Sequence, residues 1–384
     1  MAYFSFIIND TNVLKYIKGF GEFDLKVKYY SKNSKLRSFL NKLYKKNLNI
    51  NLKSEIRIRA KKNFSSVLFC LPPNIGLGDT IEYALAIKSI ILSKNYKKVG
   101  VAHVGKYTDV FRKLFEIDNV YDFVSEDILK IFDTAFHFTL EINQLLLQKY
   151  NRQNIEQLIT DFFEVNLYRK KFKKNNEKKI IDTISIFPVS NSPIRTLPIF
   201  VINYIIELLI NKYKIEIYLD NSIISQYIFS NIIKKQNLFF YYPENYQSLI
   251  KKIQNIQFGI FPDSGPLHVA KIFNKKGILL ISSVDKKILL NNFNSIQSID
   301  SGYKSNYCNG PCGLVNAFNY NDNYGCYDSL LIKKDQILKN QNLKKLQRGN
   351  LIDNYLQLYI SSTNCYKHFN NKKIKLFIEK ELNL

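Results

Sequence analysis

The sequence predicts an α/β protein built as two doubly wound parallel-sheet halves joined by a basic linker. Three observations lead there. From about residue 65, short apolar runs alternate with segments of helical period. The alternation stops at a charged run, YRKKFKKNNEKK from Tyr168 to Lys179, and then restarts. The chain has 384 residues, enough for two domains whose cores need no disulfides or metal staples.

In the first half, SVLFCLP reads as a buried strand and DTIEYALAIKSIILSK as a helix. KKVGVAHV is a second strand, TDVFRKLFE a second helix and DTAFHFT a third strand, with helical material between Asn143 and Phe163. In the second half, IIDTISIFPVS is a strand, and LPIFVINYIIELLINKY a helix with Pro198 in its first turn, where proline is tolerated. KIEIYLD, LFFYYP, IQFGIFP and KKGILLISS are further strands; SIISQYIFSNIIKK, NYQSLIKKIQN and GPLHVAKIF are the helices between them. Strand-helix alternation of this kind predicts a parallel sheet covered on both faces. The expected units are a basic extension over 1–64, a first domain over 65–168, the linker over 169–179, a second domain over 180–348 and a basic helical tail over 349–384. The extension is read as partly helical and packed on the first domain. The alternative is a basic arm in peripheral contact with an anionic membrane. No internal repeat of fixed period occurs.

Lys plus Arg number 56 against 32 Asp plus Glu, a formal charge of +24. Such a charge favours anionic partners. The excess is mostly lysine in a chain rich in Asn, Ile, Tyr and Phe, a bias that writes a solvated Lys-rich surface. No zinc-finger spacing and no aromatic-glycine ribonucleoprotein motif is present, so no nucleic-acid partner is expected. Five cysteines, an odd and sparse set, indicate a reducing compartment. The N-terminus has no basic region before its apolar patch, and the run from Leu197 to Ile210 is too short to span a bilayer. The expectation is a cytoplasmic protein.

In open α/β sheets, ligands sit beyond the carboxyl ends of the strands. Two loops there carry unusual residues. In PPNIGLGDTIEYA, Gly76 and Gly78 allow a tight turn and close backbone approach, and Asp79 follows at the start of the helix. The dinucleotide pattern G-x-G-x-x-G fails because Ile81 takes the third glycine's place. The plainer reading of Asp79 is a helix cap. In FPDSGPLHVA, Asp263, Ser264 and Gly265 follow a strand; Ser264 or Gly265 suits the helix cap and Pro266 the first helical position. The exposed N–H groups of such a helix start bind phosphate, with Ser264 as an added hydroxyl donor. His268 is near enough to reach the same ligand; alone it would be a half-buried helical histidine. A third loop, FPVSNSPIRTLP, offers Ser190 and Arg195, and arginine suits a diphosphate.

These three pieces, in this order, resemble glycosyltransferase family 9, whose best-known members are the lipopolysaccharide heptosyltransferases. The Gly78-Asp79 pair, the loop with Ser190, Arg195 and Pro198, and the D-[ST]-G-x-x-H-x-A pattern at Asp263, Ser264, Gly265, His268 and Ala270 carry the likeness, which spans roughly 65–340. The sequence departs from the family where Leu85 stands near a usual proline and Leu197-Pro198 replaces Trp-Pro. The resemblance implies the GT-B architecture, two Rossmann-like domains facing a central cleft. It implies Asp79 as general base on an acceptor hydroxyl, and Arg195 with the 263–268 turn on the diphosphate of a nucleotide-sugar. The implied reaction is inverting transfer, without a cofactor or active-site metal, of a heptose or related sugar. ADP-heptose is among the candidate donors, and the acceptor is a lipopolysaccharide-like or other surface glycan or glycolipid. The alternative is a non-catalytic nucleotide-sugar-binding module of the same fold. Cys308, Cys312 and Cys326 are read as free thiols, with a structural zinc site completed by Cys365 or His368 as the lesser alternative.

Overall fold

The computed structural model describes residues 3–18, 24–26, 28–31, 36, 39–40, 42–43, 48–56, 65–138, 154–168, 181–291, 293–303, 311, 359–360 and 364–383. All statements of structure below concern these residues. The linker 169–179 and Cys308, Cys312 and Cys326 lie outside them.

The chain begins with β1 (Tyr3–Ile8), α1 (Thr11–Ile17), β2 (Lys28–Ser31) and β3 (Ile50–Ile56). These strands form an antiparallel sheet in the order β2-β1-β3. Ile8, Val13, Ile17, Leu36, Leu40, Leu43 and Ile50 form a core of their own. The segment is partly helical, as expected, but it also holds a sheet that was not expected, so it forms a small α+β unit. Its last strand alternates apolar and polar residues only from Ile50 to Lys53, and Ser54 then breaks the period of two before Ile56.

The first parallel sheet contains β4 (Ser66–Cys70), β5 (Lys98–Ala102), β6 (Val120–Tyr121) and β7 (Thr134–His137), in the order β6-β5-β4-β7. All five residues of β4 are buried, as a strand covered on both faces requires. Helix α2 (Leu77–Ser93) follows β4 and ends at Lys94 in the left-handed conformation. The helix expected from TDVFRKLFE is reduced to a single π turn, Val110–Leu114, ended by the Phe115 N–H donating to the Val110 carbonyl. Burial of Val110, Phe111 and Leu114 satisfies its apolar spacing within that one turn. The short helices α3 (Glu126–Lys130) and α4 (Ile155–Phe162) complete this domain.

The second sheet holds β8 (Thr183–Ile186), β9 (Lys214–Tyr218), β10 (Leu238–Tyr241), β11 (Phe258–Phe261), β12 (Lys276–Ile281) and β13 (Ile296–Asp300). Their order is β10-β9-β8-β11-β12-β13, and every pairing is parallel. In chain order this is 3-2-1-4-5-6, the doubly wound arrangement that reverses direction between β8 and β11. Helices α5 (Ile199–Leu209), α6 (Ile223–Asn231), α7 (Tyr246–Asn255), α8 (Gly265–Ile272) and α9 (Lys286–Leu289) connect the strands. The tail adds α10 (Asn364–Lys367) and α11 (Asn371–Leu382), and α11 packs on α5 and β13.

The protein thus has two parallel α/β domains facing a cleft. One apolar core runs from the first sheet through Ile81 and Ile87 of α2 to Leu267 of α8 and Leu279 of the second sheet. The far face of the second sheet has a separate core that includes Tyr359, Tyr366 and Ile378 from the tail. None of the described helices is long and apolar enough to cross a membrane.

Candidate active site

Three loops at the carboxyl ends of parallel strands meet at one cleft of about 610 Å³. The loop after β4 brings Gly76, Gly78 and Asp79; the loop after β8 brings Ser190 and Arg195; the turn after β11 brings Asp263, Ser264, Gly265 and His268. The last two loops flank the point where the strand order reverses, which is where such sheets bind ligands. All nine residues singled out in the sequence line this cleft.

Two helix starts meet there nearly in contact. Gly76 caps α2 without a side-chain bond, so Asp79 is the third helical residue and not the cap. Ser264 caps α8, followed by Gly265 and Pro266. A Cβ on Gly78 would lie 2.8 Å from His268 Cδ2, and one on Gly265 3.0 Å from Leu77 Cβ. Both glycines are needed for this close crossing rather than for a left-handed backbone.

The second-domain loops are bound to each other. Arg195 Nη1 lies 3.0 Å from Asp263 Oδ2. The Ser190 hydroxyl donates to the Asp263 carbonyl at 2.7 Å. Thr196 closes the same loop, accepting from the Ser190 N–H at 3.1 Å. From the tail, Tyr359 donates its hydroxyl to the Leu197 carbonyl at 2.8 Å and Tyr366 donates to the Arg195 carbonyl at 2.9 Å. Arg195 is held on one edge and lines the cleft; its buried Nε has no partner. Beneath it, the rings of Phe261, Phe187, Tyr218 and Tyr241 stack across neighbouring strands with centroids 4.6–5.3 Å apart.

Asp79 is exposed to the cleft. Protein nonetheless walls it on most sides, and that crowding, then the charges of Glu82 and Asp263, push its carboxyl up to about 6; His268 and Arg195 pull the other way. A carboxylate with that value is half-ionised near pH 6 and accepts a proton readily at neutral pH. His268 is buried, and desolvation with the nearby Lys271 charge holds its imidazole down at about 4. It is a neutral ring on the cleft wall.

A second layer behind these residues escaped the sequence reading. Lys271 of α8 is wholly buried. Its ammonium lies 2.9 Å from Glu156 Oε1, 3.5 Å from Glu82 Oε1 and 3.1 Å from the Leu289 carbonyl. Glu82 Oε1 is also 3.1 Å from His268 Nδ1, in ion-pair range but out of hydrogen-bond line. Glu82 stands three residues after Asp79 and Lys271 three after His268; that shared helical spacing was the available signal. Among the described residues, no cluster of three or more His, Cys, Asp or Glu side chains is arranged to hold a metal ion.

No family model and no curated protein matches the chain. Similar solved structures include the E. coli ADP-heptose lipopolysaccharide heptosyltransferase II, at 10% identity and a TM-score of 0.40, covering 61% of this chain and 90% of that one. A glycosyl transferase family 9 protein from Veillonella parvula is 10% identical with a TM-score of 0.47, covering 83% of this chain and 97% of that one. The dodecameric iron-containing heptosyltransferase TibC, solved with ADP-D-beta-D-heptose, is 10% identical with a TM-score of 0.47, covering 94% and 92%. At TM-scores below 0.5 the functional reading rests on the cleft's own geometry.

Proposed function

We propose that the protein is an inverting glycosyltransferase that moves a sugar from a nucleotide-diphospho-sugar to a hydroxyl of a surface glycan or glycolipid. One observation carries the reading. A carboxylate lifted to about 6 stands in the same cleft as a helix N-terminus and an arginine. Asp79 takes the proton of the acceptor hydroxyl while that oxygen attacks the anomeric carbon. The bond from that carbon to the diphosphate breaks, and its electron pair leaves with the nucleoside diphosphate. The start of α8 and the Arg195 guanidinium receive that charge, a role they fill without calling on a metal cation. Attack and departure on opposite faces of the sugar invert the anomeric centre. Ser190 and Asp263 build the loop that presents Arg195, and Gly265, rather than leaving room for the ligand, lets α8 pass close to Leu77 of α2.

The motif resemblance makes ADP-heptose the first donor to test, with a lipid-linked acceptor at the inner membrane face. A thermal-shift screen over nucleotide-sugars and free nucleoside diphosphates identifies the donor, because a ligand of the native state raises its unfolding temperature. With that donor, Asp79→Ala is expected to lose transfer by about 10³-fold, while the donor-induced shift survives. In the unmodified protein, transfer is expected to fall below about pH 6, as Asp79 takes up its proton. Full turnover by Asp79→Ala would sink the assignment of the base. Donor binding with no transfer to any acceptor would identify a non-catalytic binding module instead.

A further inference from the structure

The buried cluster behind the cleft has a charge imbalance. Glu82 and Glu156 face one ammonium, Lys271, and His268 beside them is neutral. Fully ionised, the group would leave one uncompensated negative charge in the interior, which is costly. It therefore keeps a proton near neutral pH. Glu156 is the residue that holds it: burial first, and the Glu82 charge next, push its carboxyl up to about 7. Its Oε2 is buried without a partner. Burial raises the Glu82 carboxyl as well, but the Lys271 ammonium opposes that and holds it as the anion, with the His268 ring on its other side.

The register of the two helices gives this arrangement a target. Asp79 and Glu82 lie three apart on α2, so their side chains are neighbours on one face. His268 and Lys271 repeat that spacing on α8. We propose that Glu82 and Lys271 are a positioning pair for Asp79: Lys271, carried by the second domain, holds Glu82 as a buried anion, and that anion stands one helical turn behind Asp79 and makes it a stronger base. The pair spans the domain boundary, so Asp79 is fully armed only when α2 and α8 are together. The inference rests on Asp79 as the base, but its test reads Asp79 itself and needs no transfer.

The charged groups facing Asp79 are Glu82 on its own helix, His268 and Asp263 from α8 and the turn before it, and Arg195 from the loop after β8. Glu82 and Asp263 strengthen it as a base, and the two cationic or protonatable groups weaken it. Around Glu82 stand Lys271, His268, Glu156 and Asp263. Removing the Glu82 charge with the rest in place therefore lowers the pH at which Asp79 titrates.

The experiment is a carbon-13 NMR titration of aspartate carboxyls in the full chain without ligand, with the Asp79 signal assigned from its loss in Asp79→Asn. In Glu82→Gln the Asp79 midpoint is expected to fall by about 1 pH unit, a tenfold loss of proton affinity. Lys271→Met is expected to move it the same way, because Glu82 then takes up a proton. Lys271→Arg, which keeps the charge, is expected to hold it. Glu156→Gln is expected to leave it in place, since Lys271 then serves Glu82 alone. Should Lys271→Met fail to fold, Lys271→Met with Glu156→Gln removes the ammonium together with its second acid partner and is expected to lower the midpoint too, because Glu82 then takes up a proton. An unmoved or raised midpoint in Glu82→Gln overturns the proposal. So does Glu156→Gln moving it as far as Glu82→Gln, which would mean that any loosening of the cluster suffices. The predicted pattern in a protein that transfers no sugar would support the pair and count against the transferase reading alone.

Discussion

Two aspartates follow buried parallel strands and stand where a helix opens into the same cleft, and their environments are opposite. Asp263 is buried, ion-paired to Arg195 at 3.0 Å, with its carbonyl bonded by Ser190. Asp79 lines the cleft, and crowding by protein first, then the charges of Glu82 and Asp263, push its carboxyl up to about 6. One residue type in one topological setting thus serves two ends. The aspartate with a cation in contact is a fixed part of the wall. The one crowded by other acids is left able to take a proton. An ion pair at one site, and crowding joined by acidic neighbours at the other, separate structure from chemistry here more than position in the fold does.

Replacing each by asparagine tests that contrast most strongly. Asp263→Asn strands the Arg195 guanidinium and is expected to cost about 3 kcal/mol in urea unfolding. Asp79→Asn is expected to stay within about 0.5 kcal/mol of the parent while losing the reaction, since it removes no ion pair. Equal costs at the two sites would erase the distinction. The close crossing that holds the two turns together gives the next effect. Gly78→Ala puts a methyl 2.8 Å from His268 Cδ2 and is expected to cost about 2 kcal/mol. A neutral result would mean that α2 and α8 can part without penalty. The smallest effect lies furthest from the cleft: Tyr366→Phe removes one buried hydrogen bond to the Arg195 loop and is expected to cost about 1 kcal/mol. Weaker nucleotide binding in the same variant, read by thermal shift, would tie that bond to the presentation of Arg195.

The turn at Asp263 was legible in the sequence because its signals are local. A strand, a capping serine, a glycine and a proline follow one another within a few residues, and the helix starts at Gly265, one residue before the proline expected to open it. The doubly wound halves were legible for the same reason, since each strand and helix carries its own period. What stayed hidden was non-local. Glu82 and Lys271 read as ordinary polar residues of amphipathic helices, yet they meet across 189 residues of chain; Lys271 and Glu156 meet across 115. The N-terminal sheet was hidden differently, because Ser54 breaks the alternation of its last strand. The π turn at Val110–Leu114 had helical spacing but too few residues committed to it.

The tyrosines that grip the Arg195 loop have a consequence for the protein's manufacture. Tyr359 and Tyr366 stand 162 and 171 residues downstream of the carbonyls they hold. A ribosome adding roughly 5–20 residues each second needs on the order of 10–30 s to cover that distance. Through that interval the nascent loop has its serine and its arginine but not its two hydroxyl clamps. This side of the cleft is completed only when residues 359–366 have emerged and folded back, so maturation of the site trails synthesis of its own loop by that interval.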